Sequence, residues 1–386
     1  MGNTLSGGTM LKNIGLIIVC NLLMYLIIIL IIKIKEKRRN KNSIYRSQNE
    51  KVEYLNKKVE ELERKIFIQE ILNHAISETE INEKIYYVSQ IIEKYKDEEM
   101  AYYYRGNLYI KFEKYDEAIN DFNKTIELND KCKEAYRGKG VCLARQGHYY
   151  EALQNYKKAI SIDPKYEVVH YNMGVCYSRL KKYTKAIESY TKALNLDKND
   201  ISAYYNRGRN YNRITRYEEA IEDFTKAINL EQHDERLYYN RGISYSLIEK
   251  HEEALKDYKK TIDINPEFEE VYYYAGFSYY LLEEYSEAIE YFTIAINIDY
   301  EQAYYGRALA YLKMDNYTQA IQDFNEVIYI NDKNAKAYYK RGLALDNLER
   351  YEDAIKDFSK AIELDYKDEN IYYNRGTSKS LIRDLK

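Results

Sequence analysis

Proline, cysteine and histidine are scarce in this chain of 386 residues, and each scarcity excludes a class of protein. With two prolines, almost every segment lacks a helix breaker, which favours a helix-rich body. The four cysteines form no CxxC pair and have no metal-ligand spacing, so reduced thiols in a cytosolic compartment are expected. These cysteines are Cys20, Cys132, Cys142 and Cys176.

Catalytic signatures are missing from the sequence as well. The five histidines have no zinc spacing, and no Ser or Cys nucleophile motif accompanies them. The glycines form no phosphate-binding loop. We therefore expect a protein that is not an enzyme and that has no catalytic residue, no cofactor and no metal site.

The net charge of −3 conceals two differently charged parts. Residues 1–41 hold seven Lys or Arg and one acid, Glu36. Residues 42–386 hold the remaining 52 basic and 61 acidic residues, which is a net charge of −9. Because nucleic-acid binding requires a basic footprint, this acidic body argues against a nucleic-acid partner.

One long apolar run, Ile14 to Ile32, is interrupted only by Gly15, Asn21 and Tyr25. A helix of this length just spans a bilayer core of about 30 Å at 1.5 Å per residue. A basic cluster follows it, where a cleaved signal peptide would have small residues. We predict a single-pass transmembrane helix at 14–32, with the short segment 1–13 outside and the rest of the chain facing the cytoplasm.

The first six residues support a different orientation. They fit the N-myristoylation pattern M-G-x-x-x-[ST], and acylation of Gly2 requires a cytosolic N-terminus. The distribution of basic residues places that terminus outside instead. Under either interpretation, the chain belongs at a membrane.

A basic juxtamembrane segment, 33–64, follows the apolar run. Apolar residues there alternate by three and four over about two heptads, the pattern of a short coiled coil, and Lys58 is placed to pair with Glu63 of a partner helix. This predicts a homodimer through residues 45–66. The alternative is a single amphipathic stalk helix, or one packed on the first repeat. The seam residues are Val52, Leu55, Val59, Leu62 and Ile66.

From residue 99 onward, one pattern recurs every 34 residues, which indicates stacked supersecondary units. Within residues 99–132, two groups of residues spaced three or four apart mark two helices, and the connection at 111–114 is short. An antiparallel helical hairpin is therefore predicted for each unit. The recurring glycines are Gly106, Gly140, Gly174, Gly208, Gly242 and Gly276, and the recurring alanines are Ala118, Ala152, Ala186, Ala220 and Ala254.

This pattern resembles the tetratricopeptide repeat family, whose signature is matched by Tyr102, Gly106, Tyr109, Ala118 and Phe122. The resemblance implies an all-α fold, a right-handed superhelical solenoid of antiparallel helix pairs, here preceded by one transmembrane helix. The unit that begins at 269 is two residues short. Eight repeats between residues 99 and 368 begin at 99, 133, 167, 201, 235, 269, 301 and 335.

Shorter segments flank the eight repeats. Residues 65–98 have Ile or Val at core positions, which predicts a degenerate first repeat or capping helices. Residues 369–386 supply one more first helix. Because Ser378 and Arg383 replace the Tyr and Leu of earlier units there, a solvated C-terminal capping helix is predicted.

Two positions co-vary among the repeats, which suggests a contact between them. Where an Arg precedes the glycine position, an Asp follows sixteen residues later, and repeats without that Arg lack that Asp. We predict structural Arg–Asp ion pairs that join the two helices of a hairpin. The pairs are Arg105–Asp121, Arg207–Asp223, Arg241–Asp257, Arg307–Asp323 and Arg341–Asp357.

The resemblance also implies that the first helices line a concave groove for peptides. The candidate lining begins at the residue after the core aromatic position of each repeat: Tyr103, Arg137, Tyr171, Tyr205, Tyr239, Tyr273, Tyr305 and Tyr339. Farther along the same helices, basic residues change to leucine, in the order Lys111, Arg145, Arg179, Arg213, Leu247 and Leu281. Such a groove suits peptides with acidic segments. The alternative is that the tyrosines pack on each other and the basic residues balance helix dipoles.

Three functions follow from these features. The first is a membrane-anchored scaffold whose groove binds extended or helical segments of protein partners. The second is a receptor that captures client proteins before translocation. The third is a non-catalytic regulatory subunit of an enzyme complex.

Overall fold

The computed structural model describes residues 26–29, 44–298 and 300–384. Residues 26–29 are helical, whereas the rest of the predicted transmembrane segment 14–32 lies outside the described residues, as do Gly2 and the basic cluster after the apolar run. In the described part of the chain, no helix combines the length and the apolar character that crossing a membrane requires.

All regular structure in these residues is helical, and no strand occurs among them. Nineteen helices follow the 26–29 segment. They are α1 (Ile44–Ser77), α2 (Ile81–Lys94), α3 (Glu99–Lys111), α4 (Tyr115–Leu128), α5 (Lys133–Arg145), α6 (Tyr149–Ile162), α7 (Glu167–Arg179), α8 (Tyr183–Leu196), α9 (Ile201–Arg213), α10 (Tyr217–Leu230), α11 (Glu235–Leu247), α12 (His251–Ile264), α13 (Glu269–Leu281), α14 (Tyr285–Asn297), α15 (Ala303–Lys313), α16 (Tyr317–Ile330), α17 (Ala335–Asn347), α18 (Tyr351–Glu363) and α19 (Glu369–Asp384).

The described chain divides into two compact units, one ending at Ala101 and the other beginning at Tyr102. In the first unit, the C-terminal part of α1 packs against α2. The ring of Phe67 lies 5.8 Å from that of Tyr95, and Arg64 Nη1 lies 2.9 Å from Asp97 Oδ2. Residues 65–77 and α2 have the same lengths as the two helices of a later repeat.

Residues 45–66, for which a homodimer is predicted, form part of the single helix α1. Lys58 Nζ lies 2.8 Å from Glu61 Oε2 on the same helix. Among the seam residues, Val52 and Leu55 are half-buried, and Leu62 is 38% exposed. Val59 and Ile66 are half-buried as well, and dimerisation stays a prediction.

In the second unit, helices pair within repeats and stack between them. From repeat two onward, each first helix packs on its own second helix, and the second helix packs on the next first helix. Three residues connect the helices of a pair, and the middle one has left-handed backbone with φ of 57–63°, or 85° at glycine. These middle residues are Glu113, Gly147, Lys181, Thr215, Glu249, Glu283, Asp315 and Glu349.

Glycine is required where the two helices of a hairpin approach most closely. A Cβ added to Gly140 would lie 2.5 Å from the ring of Tyr156, and one added to Gly174 would lie 2.7 Å from that of Tyr190. Both rings are 1% exposed. The backbone of each first helix therefore packs directly on a buried aromatic ring, which forms the centre of that repeat's core.

Repeat seven departs from this pattern at the two-residue deletion. Its first helix begins at Ala303, two residues after the predicted repeat start at 301, and has 11 residues where the others have 13. Ala308 occupies the usual glycine position. Glycine occurs two residues earlier, at Gly306, where an added Cβ would lie 2.5 Å from Phe292 of the preceding repeat. The backbone of this helix thus approaches the core ring of the preceding repeat, as it also does at Gly138 and Phe122.

Most described residues of the C-terminal helix α19 are exposed, including Lys379 and Ser380, but two are buried. Ile371 and Ser378 are fully buried. Ser378 Oγ lies 2.5 Å from Asp346 Oδ1 and 2.9 Å from the Asn374 carbonyl oxygen, so its single hydrogen is within bonding distance of both acceptors. The expectation of a solvated serine at this position was wrong, because its hydroxyl joins α19 to the preceding repeat.

Candidate functional site

The five predicted Arg–Asp pairs each form a bidentate ion pair. In every pair, Nε donates to Oδ2 and Nη2 donates to Oδ1, at 2.7–2.8 Å. The aspartate side chains are 3–9% exposed and the arginine side chains are 12–20% exposed. Each pair joins the first and second helices of one repeat.

Most of these arginines also bind the preceding repeat, a contact that the sequence analysis missed. Nη1 of Arg207 donates to Thr191 Oγ1 at 2.8 Å, and Nη1 of Arg241 donates to Thr225 Oγ1 at 3.0 Å. Equivalent bonds join Arg307 to Thr293, Arg341 to Asn325 and Arg375 to Ser359.

The signal for this third contact is present in the sequence. In four of the five bonds just described, the partner is a hydroxyl or amide sixteen positions before the arginine, and across the two-residue deletion Thr293 lies fourteen before Arg307. Before the arginine-free repeats, the same position is Asn123, Lys157 or Lys259, and the two lysines would repel an arginine. The guanidinium groups are therefore used in holding three helices together, which is a structural role.

Burial dominates the electrostatics of two of these aspartates. It raises the pKa of Asp223 and Asp257 above the usual range, and the guanidinium groups of Arg207 and Arg241 oppose that shift. The carboxylates depend on their arginines to remain ionised inside the protein. Such groups are pKa-perturbed without being catalytic, because the same arrangement recurs from repeat to repeat.

The seven predicted groove tyrosines all contact the core aromatic residue of their own repeat. Ring centroids are 5.6–6.5 Å apart, and Tyr339 is only 6% exposed. The other six are half-buried. A partner can therefore reach only part of these rings. The pairs are Tyr103–Phe122, Tyr171–Tyr190, Tyr205–Phe224, Tyr239–Tyr258, Tyr273–Phe292, Tyr305–Phe324 and Tyr339–Phe358.

Some of these hydroxyl groups also join neighbouring repeats. Asn206 Nδ2 donates to the Tyr171 hydroxyl at 3.1 Å, and Asn374 Nδ2 donates to that of Tyr339 at 3.3 Å. Burial raises the pKa of Tyr305 to about 12 and also raises that of Tyr171. These phenols therefore stay neutral at physiological pH and keep their hydrogen-bonding hydroxyls.

Arg137 replaces the groove tyrosine in repeat two. It interacts with the hydroxyls of Tyr103 and Tyr166. Among the described residues, its Nε is buried without a hydrogen-bond partner.

Two of the four predicted groove cations meet in one cavity. Arg179 at the end of α7 and Arg213 at the end of α9 line a space of about 550 Å³, together with Lys181 and Arg209, which the sequence analysis missed. Lys111 and Arg145 are exposed and lie outside it. We call this cavity the basic pocket. It is lined by Val175, Ser178, Arg179, Lys181, Tyr183, Tyr190, Asn206, Arg209, Asn210 and Arg213.

The basic pocket has four cations and no carboxylate in its lining. Among the described residues, no acidic group lies within 4.0 Å of Arg179, Lys181, Arg209 or Arg213. Arg209 lies over the ring of Tyr205, with its guanidinium carbon 5.6 Å from the ring centroid. The first helices beyond it carry exposed leucines in place of the basic residues, with Leu247 50% and Leu281 46% exposed.

Family models match most of the repeated region. Models described as tetratricopeptide repeat match residues 100–132, 168–200, 201–234, 235–268, 270–298, 301–334 and 335–365, and one described as TPR repeat matches 142–181. Together they cover about two thirds of the chain. The chain belongs to the tetratricopeptide repeat family. Its described part is an all-helical repeat solenoid, a fold that generally acts as a non-catalytic scaffold for protein interactions.

The chain is similar to several solved structures, of which the first described here supports the fold. The C-terminal part of a tetratricopeptide repeat protein from Cytophaga hutchinsonii is similar with a TM-score of 0.54 at 17% identity, over 62% of this chain and 98% of that one. A tetratricopeptide repeat protein from Parabacteroides merdae is similar with a TM-score of 0.49 at 23% identity, over 64% of this chain and 98% of that one. YrrB, described as a tetratricopeptide repeat protein with an unusual peptide-binding site, is similar with a TM-score of 0.43 at 25% identity, over 47% of this chain and 93% of that one. A search of curated proteins gave no match.

Proposed function

We propose that this tetratricopeptide repeat protein is a membrane-anchored scaffold whose first helices bind extended or helical peptide segments of protein partners. The observation that carries the proposal is the change in character along the first helices. Uncompensated cations surround the basic pocket between repeats three and four, whereas Leu247 and Leu281 are exposed in repeats five and six. First helices that are basic in repeats three and four and apolar in repeats five and six suit an amphipathic segment with acidic residues.

The charge of the protein makes this surface distinctive. Residues 42–386 carry a net charge of −9, so a cavity with four cations and no acid is a local reversal of sign. Opposite charge steers a partner toward that part of the surface and repels partners that are themselves basic. The groove would thus select acidic segments although the surrounding protein is acidic.

Peptide binding is tested with the full-length protein on an array of twelve-residue peptides that vary independently in acidity and hydrophobicity. We expect the bound set to be enriched in peptides with both acidic and apolar residues. Double substitution Leu247→Gln and Leu281→Gln should weaken binding of the apolar members, whereas Leu128→Gln, a change of another exposed leucine outside the proposed surface, should not. Binding to no peptide at all would refute the proposal.

The membrane anchor is the second component of the proposed function. The 14–32 segment has the length and apolar character of a transmembrane helix, and the basic residues after it favour a cytoplasmic location for the repeats. Protease protection of the full-length protein in isolated membranes tests both points. We expect carbonate-resistant membrane association and digestion of the repeats from the cytoplasmic side. Protected repeats would contradict the orientation, and release by carbonate would contradict the anchor.

A further inference from the structure

We propose that α19 is the first helix of an incomplete ninth hairpin, and that an amphipathic helix of a partner protein completes this hairpin by placing an aromatic ring on Gly376 and a carboxylate on Arg375. The surface concerned is the side of α19 that in the complete repeats faces the second helix. We call it the open face, and it comprises Tyr372, Arg375, Gly376 and Lys379. It is separate from the groove in which peptide binding is proposed, so the two sites succeed or fail independently.

Gly376 is the first sign that a helix is missing from this face. At the equivalent glycine of seven complete repeats, an added Cβ would lie 2.5–2.9 Å from the core aromatic ring of the same repeat. At Gly376 an added Cβ meets nothing within 4 Å, and the residue is exposed. Because glycine weakens a helix unless a close approach requires it, this position favours a ring that comes from elsewhere.

Arg375 has the orientation of the five paired arginines but no aspartate. Its Nη1 donates to Ser359 Oγ of the preceding repeat at 3.3 Å. Its guanidinium carbon lies 5.8 Å from the ring centroid of Tyr372, and the corresponding distances of the five paired arginines are 5.4–5.9 Å. In the described part of the chain, no carboxylate binds its Nε and Nη2, the atoms that hold aspartate in the five pairs. The guanidinium is therefore already placed for a carboxylate.

A cavity lies at the N-terminal end of the open face. Tyr372 is 57% exposed, whereas the eight aromatic residues at its position in the complete repeats are buried or half-buried. Beside it is a space of about 440 Å³ that Glu369, the first residue of α19, also lines. In repeat five, the last turn of the second helix lies at the corresponding place, with Thr261 Oγ1 3.4 Å from the carbonyl oxygen of Glu235. The cavity thus corresponds to the space that the end of a second helix fills.

The chain itself does not fold back over the open face where the other repeats do. The first helices of the eight repeats have 11 or 13 residues, and a three-residue turn follows each of them. Helix α19 has 16 residues, so it remains helical through the three positions of that turn. Within the described residues, the open face is therefore accessible to a helix from another molecule.

Charge specifies what kind of helix fits. The open face itself carries Arg375 and Lys379, whereas the cavity at its N-terminal end is lined by three acids, Asp365, Asp368 and Glu369, and one Lys. An antiparallel helix that complements both ends has acids in its first half and a basic residue in its last turn, where a cation also balances the helix dipole.

The second helices of this chain provide the pattern. In α18, Ala354 is followed by Asp357 and Phe358, and Lys360 lies in the last turn. We therefore expect a partner helix with the pattern Ala-x-x-Asp-aromatic followed by Lys or Arg within one turn.

A second copy of this chain fits the open face poorly. In repeats two to eight, each second helix is already packed on its own first helix. The N-terminal half of α1 has an acid and an aromatic residue in sequence, Glu53 and Tyr54, but Glu50 takes the place of the alanine at the close approach. Direct contact between two open faces would bring Arg375 and Lys379 of each copy together, and these charges repel. The occupant is therefore a helix of another protein.

Fluorescence polarisation with the full-length protein tests the proposal. The probe is a labelled peptide with the sequence of residues 351–364, closed by a lactam between its counterparts of Glu352 and Lys356, which are exposed in α18. The lactam fixes the helix, because isolated helices of this length are marginal in water. We expect saturable binding and slower amide exchange in α19. Absence of binding, or slower exchange confined to helices other than α18 and α19, would overturn the proposal.

Substitution of the open face locates the peptide. Gly376→Leu should weaken binding at least tenfold, because its side chain occupies the place of the ring, and it should preserve the fold, since nothing lies within 4 Å of the added Cβ. The matched control is Thr377→Leu, which adds an apolar side chain to the next exposed residue of α19, at the position of Arg209 on the groove side. It should leave the affinity unchanged. Equal weakening by both variants would contradict binding at the open face.

A double-mutant cycle tests the ion pair. Arg375→Gln and a peptide with Asn at its counterpart of Asp357 should each weaken binding about fivefold, and the two changes together should weaken it no further. Independent, multiplying effects would exclude the contact between Arg375 and the carboxylate. The variant Leu247→Gln/Leu281→Gln should not affect this probe. If it alone weakened binding, the peptide would occupy the groove, and the open face would be excluded while the scaffold proposal stood.

Discussion

Replacement of Arg207 by Met is expected to destabilise repeat four by about 3 kcal/mol. The change keeps the apolar stem but removes two bonds of 2.7 Å to Asp223 and one of 2.8 Å to Thr191. It also leaves the Asp223 carboxylate, whose side chain is 3% exposed, without its cation. Removing one partner of a buried ion pair costs roughly 3–5 kcal/mol, and the lower end applies because the Arg207 side chain is 12% exposed to water.

The same substitution in a surface pair provides the control. Arg350 and Asp353 form an i,i+3 pair at 2.8 Å, but their side chains are 55% and 40% exposed. Arg350→Met should therefore cost less than about 1 kcal/mol. The double variant Arg207→Met/Asp223→Leu should recover most of the loss, since apolar replacement of a whole buried pair is often neutral.

The destabilisation should also depend on pH. Burial already raises the pKa of Asp223, and Arg207 opposes that shift, so the variant raises it further. A carboxyl whose pKa is higher in the folded than in the unfolded state binds more protons when folded, and stability falls as pH rises through that interval. The effect of Arg207→Met should thus be largest near pH 7 and should shrink as pH falls toward the unfolded-state value of about 3.9.

Hydrogen exchange is the appropriate assay, because a repeat array does not unfold as one two-state unit. Where exchange reports local opening, a loss of about 3 kcal/mol accelerates amide exchange in α9 and α10 by about a hundredfold. The rate of amide exchange in the first repeats should change less. If Arg207→Met and Arg350→Met had equal effects, or if the effect were the same at pH 5 and pH 7, the argument from burial would be wrong.

Three further predictions use single residues. Gly140→Ala should lower the stability measured by thermal melting by about 1–3 kcal/mol, because the added Cβ would lie 2.5 Å from the buried Tyr156 ring. In the same experiment, Gly376→Ala should be neutral or stabilising, because no atom lies within 4 Å of its added Cβ. Thr215→Gly should stabilise by roughly 0.5–1 kcal/mol in hydrogen exchange of its hairpin, since a β-branched residue there has φ of 60°; a loss would show that the turn is not strained. Arg209→Gln should change stability by less than about 0.5 kcal/mol in urea denaturation, and a larger loss would assign Arg209 to the fold.

The repeat length, the hairpins and the Arg–Asp pairing could all be predicted from the sequence, because each depends on contacts within one repeat. The spacing of sixteen residues between Arg207 and Asp223 is set by one hairpin, and it recurs often enough to be visible in a single chain. The bond from Arg207 to Thr191 joins two neighbouring repeats. It was visible as a less complete co-variation, because Asn123 precedes a repeat without the arginine, and only to a comparison across the repeat boundary.

The site was harder to predict, because its geometry depends on how neighbouring first helices pack. Arg179 and Arg213 belong to the same position of successive repeats, so the periodicity identified them. Arg209 and Asn210 have no basic or asparagine counterpart in the neighbouring repeats, and periodicity therefore gave no reason to select them. Tyr339 shows the opposite error, since its position recurs but its ring is buried against Phe358.

Helix α9 shows how one short element combines stability with a binding surface. Arg207 and Arg209 are two residues apart, which is a rotation of about 200° around the helix, so their side chains point to nearly opposite sides. Arg209 and Arg213 are four residues apart and share one face. Arg207 is turned inward to Asp223 and Thr191 and holds α9 against α8 and α10. These bonds hold α9 in place, so Arg209 and Arg213 line the basic pocket from a fixed helix, and under the proposed function little ordering of the protein would oppose the binding of a peptide.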